Sequence, residues 1–123
     1  MLAHQSLGRS LRCLERYPEA EAAFREAIRL DPGNSNIRNG LGAVFENSKR
    51  YPEAETEYRE AIRLDPSNVW AHIYLGDVLR TTKRYPEAET EYREAIRLDP
   101  SNSEARDNLK DLRKAQRPWH RRH

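Results

Sequence analysis

Three tyrosines, Tyr17, Tyr51 and Tyr85, stand 34 residues apart, and three prolines, Pro32, Pro66 and Pro100, keep the same spacing. A fixed period of this length marks a stacked repeat array, in which each unit leaves an apolar face that only its neighbour can bury. The twenty residues Lys49–Asn68 return unaltered at Lys83–Asn102, and Glu15–Asn34 keeps fifteen of them. The fourteen-residue stretches between these blocks behave differently. Ser35–Ser48 and Val69–Thr82 agree only at Leu41/Leu75, Gly42/Gly76 and Val44/Val78. One half of the unit is fixed and the other is rewritten.

The fixed half reads as a helix. Pro18, Pro52 and Pro86 suit a first turn, where a missing N–H costs nothing, and Glu19 and Glu21 with their copies complement the positive end of the helix dipole. Ala20, Phe24, Ala27 and Ile28 recur at helical spacing, and Glu21–Arg25, Glu55–Arg59 and Glu89–Arg93 are i, i+4 pairs on the outer face. Pro32, Pro66 and Pro100 stop the helix, after which Asn34, Asn68 and Asn102 are placed to cap the next one. The rewritten half is also helical and keeps a Leu–Gly pair at Leu7–Gly8, Leu41–Gly42 and Leu75–Gly76. A glycine inside a helix costs about 1 kcal/mol relative to alanine, so it needs a packing reason. The expected reason is close approach to the small residues Ala20, Ala54 and Ala88, with Val44 and Val78 spaced for contacts between repeats. After the last unit, Ala105, Leu109 and Leu112 form one narrow stripe, which predicts a terminal capping helix over 103–116 and a basic, flexible tail over 117–123.

Composition narrows the function classes. With 37% apolar and 34% charged residues, a thin core of stacked amphipathic helices fits better than a wide globular one. The net charge of +2 is carried by the end of the chain, since residues 1–102 are close to neutral. No basic face interleaved with aromatics is present, so nucleic-acid binding is not expected except through RPWHRRH at 117–123. Cys13 stands alone, which excludes an internal disulfide and a cysteine-built metal cage. His4 and His72 are two repeats apart, His120 and His123 are in the tail, and no nucleophile–base pair appears. No enzyme activity, metal or cofactor is therefore expected. The string GLGA at Gly40–Ala43 lacks the third glycine and preceding strand of a dinucleotide loop. No apolar run is long enough for a membrane span and no export signal is readable, so a cytoplasmic location is the expectation.

Leu7, Gly8, Ala20, Phe24, Ala27 and Pro32, repeated as Leu41, Gly42, Ala54, Tyr58, Ala61 and Pro66 and as Leu75, Gly76, Ala88, Tyr92, Ala95 and Pro100, resemble the signature of the tetratricopeptide repeat family. Two positions depart from it: His4, Arg38 and His72 replace the usual Trp, and Leu11, Phe45 and Leu79 replace the usual Tyr. The resemblance implies an all-α, right-handed superhelix of three antiparallel helix pairs, with repeats over 1–34, 35–68 and 69–102 and a seventh, capping helix. It also implies that the first helix of each pair, the rewritten half, lines a concave groove. Drift alone should equally mark the solvated positions of the fixed half, where the last two copies are identical, so the rewriting points to the groove as the functional face.

The family's groove positions fall on Gln5, Arg9 and Arg12 in repeat 1, with Leu2 and Ser6. In repeat 2 they fall on Asn36, Asn39 and Glu46, with Gly40 and Ala43. In repeat 3 they fall on Trp70, Ile73, Tyr74, Asp77 and Arg80. The third set has aromatic anchors beside an acid and a base, as a peptide hot spot requires. The positions at which some relatives clamp a chaperone's C-terminal carboxylate hold Gln5, Arg9, Gly40, Trp70 and Tyr74, which do not match that clamp. Nor is there an asparagine ladder at Ser6, Gly40 and Tyr74. The expected partner is thus a protein or peptide other than a chaperone tail, bound by a monomer. The alternative is a purely structural array that self-associates end to end.

Overall fold

The computed structural model describes residues 16–122, with side chains as far as residue 115. Within them lie six helices: α1 (Tyr17–Leu30), α2 (Ser35–Asn47), α3 (Tyr51–Leu64), α4 (Val69–Thr81), α5 (Tyr85–Leu98) and α6 (Ser103–Arg122). The helix expected before α1 lies outside the described residues. Each helix packs on the next, and in addition α2 packs on α4 and α4 on α6. The fixed-half helices α1, α3 and α5 make no such contact with one another. Two layers result, one closely spaced (α2, α4, α6) and one splayed, so the array bends with the rewritten helices on its inner side. No described helix is long and apolar enough to cross a membrane.

The ends of the helices follow from local chemistry. Pro18, Pro52 and Pro86 sit in the first turns of α1, α3 and α5. The side-chain oxygens of Asn34, Asn68 and Asn102 accept from the backbone N–H of Ile37, Ala71 and Ala105 at 3.2, 3.3 and 3.1 Å, which caps α2, α4 and α6. α2 and α4 close with a left-handed residue, Lys49 (φ 63°) and Lys83 (φ 64°). The Arg50 N–H then donates back to the Phe45 carbonyl (2.7 Å) and the Arg84 N–H to that of Leu79 (2.8 Å). This six-to-one closure usually takes glycine at the left-handed position, and here lysine bears the strain.

The core is a single thin seam. Phe24, Tyr58 and Tyr92 project into it from α1, α3 and α5 and are fully buried, against Ile37, Leu41 and Phe45 from α2 and Leu75, Val78 and Leu79 from α4. The glycines that recur between repeats, Gly42 and Gly76, face two of these rings. A Cβ on Gly42 would lie 2.5 Å from Tyr58 Cε1, and one on Gly76 would lie 2.6 Å from Tyr92 Cε1. The close partner is therefore the aromatic ring one turn along the neighbouring helix, in place of the expected Ala54 and Ala88. At the far end, Ala105, Leu109 and Leu112 are buried and seal α5, as their stripe requires. The helical backbone of α6 continues to Arg122, beyond the end at 116 that the apolar stripe suggests.

The positions that depart from the family signature acquire their own pairing. Arg38 Nη1 donates to Glu57 Oε1 at 2.9 Å, and His72 Nδ1 lies 2.8 Å from Glu91 Oε1 with its Nε2 3.0 Å from the Pro66 carbonyl. Burial opposes charge on His72, but Glu91 and that carbonyl outweigh it and hold the imidazole pKa above its ordinary value. Each pair ties the two helices of one repeat together where an indole would otherwise fill the space.

Candidate functional site

On the inner layer, a cleft of about 270 Å³ opens between α2 and α4, lined by Ala43, Glu46, Asn47, Tyr58, Tyr74 and Asp77. Tyr58 of the outer layer reaches it from below. Tyr58 is buried to its ring, and a buried phenol must find a partner for its hydroxyl. The Tyr58 hydroxyl crosses the repeat and donates to Glu46 Oε1 at 2.7 Å. Tyr92 does the same one repeat later, its hydroxyl donating to Asp77 Oδ1, which also accepts from Asn108 Nδ2 of α6 at 2.9 Å. The first cation in reach is Arg80, with Nη2 3.8 Å from Asp77 Oδ1.

Burial dominates the electrostatics of both acids. It pushes the Glu46 carboxyl above the usual carboxylate range, against the opposing hydrogen bond from Tyr58, and Asp77 adds to the rise. Asp77 is raised in the same way, chiefly by burial, with Tyr92 and Arg80 pulling the other way and Glu104 adding repulsion. The Tyr58 hydroxyl is raised far above its ordinary value by burial and by the Glu46 charge. The cleft thus holds two carboxylates that are short of compensating positive charge.

Its side wall is aromatic. The Tyr74 ring lies 5.6 Å from that of Tyr58 and 5.7 Å from that of Trp70, both tilted. Trp70 ends this row and is 43% exposed. Of the residues expected in the groove, Glu46, Tyr74 and Asp77 line the cleft, with Arg80 beside Asp77 and Trp70 beside Tyr74. Asn36 is exposed nearby and its Oδ1 accepts from Asn68 Nδ2 at 3.0 Å. Two expectations are corrected. Ile73 is fully buried in the core, and Asn39 is buried with its Nδ2 donating to the Asn68 side chain at 3.3 Å. Both occupy the same place in their repeats, turned into the contact between successive inner helices. Gln5, Arg9 and Arg12 lie outside the described residues.

Sequence reasoning missed Tyr58, Tyr92, Asn47 and Asn108. The available signal was the change from Phe24 to Tyr58 and Tyr92 at one buried position, because an added hydroxyl there demands an acceptor on the rewritten helix. Among the described residues, no group of three or more His, Cys, Asp or Glu side chains is arranged to hold a metal ion.

The sequence profile described as "Tetratricopeptide repeat" matches residues 6–69 and 50–103. A search of curated proteins finds no match. Among solved structures, the chain is similar to the Arabidopsis OM64 TPR domain, with 27% identity, a TM-score of 0.86 and coverage of 92% of this chain and 93% of that one. It is also similar in fold to the first TPR domain of human RPAP3, with 21% identity, a TM-score of 0.91 and coverage of 99% and 96%. A third similar fold is the first TPR of Spaghetti (RPAP3) bound to the HSP90 peptide SRMEEVD, with 23% identity, a TM-score of 0.86 and coverage of 93% and 90%.

Proposed function

The chain belongs to the tetratricopeptide repeat family, and from that premise we propose that it is a non-catalytic interaction scaffold whose inner groove holds a segment of a partner protein. The observation that carries this reading is Trp70. A 43% exposed indole stands at the rim of a cleft, stacked toward Tyr74, while the aromatic Phe45 of the preceding inner helix is packed to 2% exposure. A large ring left in water beside polar groups is the arrangement of a binding anchor. The residues of the site in this reading are Asn36, Glu46, Trp70, Tyr74, Asp77 and Arg80; Gln5, Arg9 and Arg12, expected in the groove from the sequence, lie outside the described residues.

An acidic chaperone tail of the kind bound by the Spaghetti domain does not suit this groove, because Glu46 and Asp77 already place negative charge in it that Arg80 opposes in part. The test is selection of binding peptides from a random library on the intact chain, followed by titration of the selected peptide against Trp70→Ala. Loss of about 2 kcal/mol of binding, roughly 30-fold, with an unchanged melting temperature is expected. A lowered melting temperature with unchanged affinity makes Trp70 a filler and refutes the groove. A species that grows with concentration in size measurements would support the self-associating array in its place.

A further inference from the structure

The groove's aromatic wall ends in water, and what faces that wall is negative. Glu46 and Asp77 border the cleft on one side of Tyr74. The α6 helix brings a third acid: Asn108 contacts Asp77, and Glu104, one turn earlier and exposed, acts on Asp77 through space. Arg80 is the cation set against them, 3.8 Å from Asp77 and on its own helix. Resting on the groove reading, we infer that the occupant of this cleft is an arginine side chain of an extended partner segment, its guanidinium taken by Glu46 and Asp77 and its flat face laid along Tyr74, with the segment running on past Trp70.

The chemistry separates arginine from other occupants. Acidic side chains meet the Glu46 and Asp77 carboxylates, with Glu104 adding repulsion at Asp77 from α6. Apolar ones fit Trp70 and Tyr74 but leave Glu46 and Asp77 as they are, buried and poorly compensated. A guanidinium is the weakly hydrated cation that both stacks on aromatic faces and forks onto carboxylates, which a compact ammonium does less well. The Tyr58 and Tyr92 hydroxyls already occupy one oxygen of each acid, so the acids are held in place before the partner arrives and little ordering remains to be done.

The test uses the full chain carrying Trp119→Phe, which leaves Trp70 as its only tryptophan. Three capped peptides of glycine and serine are titrated by Trp70 fluorescence, bearing three arginines, three citrullines or three glutamates. The arginine peptide is expected to bind, the neutral citrulline isostere at least 10-fold more weakly and the glutamate peptide not at all. Glu46→Gln with Asp77→Asn, which keeps both shapes and both acceptors for the tyrosines, should weaken the arginine peptide at least 10-fold. Glu104→Lys, at an exposed position outside the packing, should weaken it as well without altering the fold. Equal affinity for the arginine and citrulline peptides, or an arginine affinity unmoved by these variants, overturns the inference. If library-selected peptides then still depend on Trp70, the groove reading survives that loss; if Trp70→Ala weakens no peptide, the groove reading falls too.

Discussion

Gly76→Ala is the sharpest probe of how the repeat is built. A methyl group on Gly76 would sit 2.6 Å from Tyr92 Cε1, 2.9 Å from Cδ1 and 3.0 Å from Cζ. Carbon atoms settle at roughly 3.5–4.0 Å, so the ring has to retreat by about 1 Å. It has nowhere to go, being fully buried with its hydroxyl held on Asp77, which Asn108 holds in turn. Overpacking of this kind costs about 1–3 kcal/mol, and disturbing a hydrogen bond to a carboxylate adds roughly 1.5 kcal/mol. Helix propensity returns about 1 kcal/mol of that. The net destabilisation should be about 2 kcal/mol, which for a domain of this size lowers the melting temperature by about 8 °C. Thermal melting followed by far-ultraviolet circular dichroism measures it, with Gly33→Ala as the control, since a Cβ there meets nothing within 4 Å. If Gly76→Ala melts at or above the wild-type temperature, the ring has room and the close contact between α4 and α5 is wrong. If both variants fall alike, the loss comes from the glycine backbone and not from Tyr92.

Lys49→Gly and Lys83→Gly remove a side chain from left-handed backbone, φ 63° and 64°, and each should raise stability by about 1 kcal/mol in urea unfolding. Glu46 and Asp77 have folded pKa values raised by burial, so the stability they add is complete below the ordinary carboxylate range and is lost as pH rises through their raised values. Glu46→Gln and Asp77→Asn should therefore melt above wild type at neutral pH, with the difference shrinking on acidification; a difference independent of pH would contradict the raised values. Deleting residues 103–123 uncovers the face of α5 that Ala105, Leu109 and Leu112 seal, so light scattering should show self-association and melting should fall.

The fold was legible because one period fixes nearly everything about it. Tyr17, Tyr51 and Tyr85 gave the unit, Pro32, Pro66 and Pro100 its break, and Asn34, Asn68 and Asn102 its caps. The partner of Gly42 and Gly76 was not legible. Spacing along a helix says which residues share a face, but the choice between Ala54 and Tyr58 as the nearest neighbour depends on how the two helices are offset. Ile73 and Asn39 were misplaced for a related reason. They face the adjacent inner helix, and a contact between repeats is encoded in the curvature of the whole array and not in any one repeat. Trp70 and Tyr74 stand out in the sequence as the large rings of the rewritten face, and their placement side by side follows from i, i+4 spacing on one helix.

The contrast between fixed and rewritten halves has a physical form at the two tyrosines. α3 and α5 are identical in sequence, and each delivers a hydroxyl to the same place in its repeat. The acceptor is not the same. Tyr58 reaches Glu46, 12 residues before it, while Tyr92 reaches Asp77, 15 residues before it. Three residues are close to one helical turn, about 4.5 Å along the axis. A donor anchored by the unvarying half therefore allows the variable half to present its carboxylate on either of two successive turns, without leaving a buried hydroxyl unpaired. Phe24, which has no hydroxyl, imposes no such demand on the first repeat. The same constraint explains why the acids tolerate their burial: each is fixed to the scaffold by a hydrogen bond from a buried tyrosine, Asp77 by a second from Asn108, and both border the cleft, which is where the proposed guanidinium would meet them.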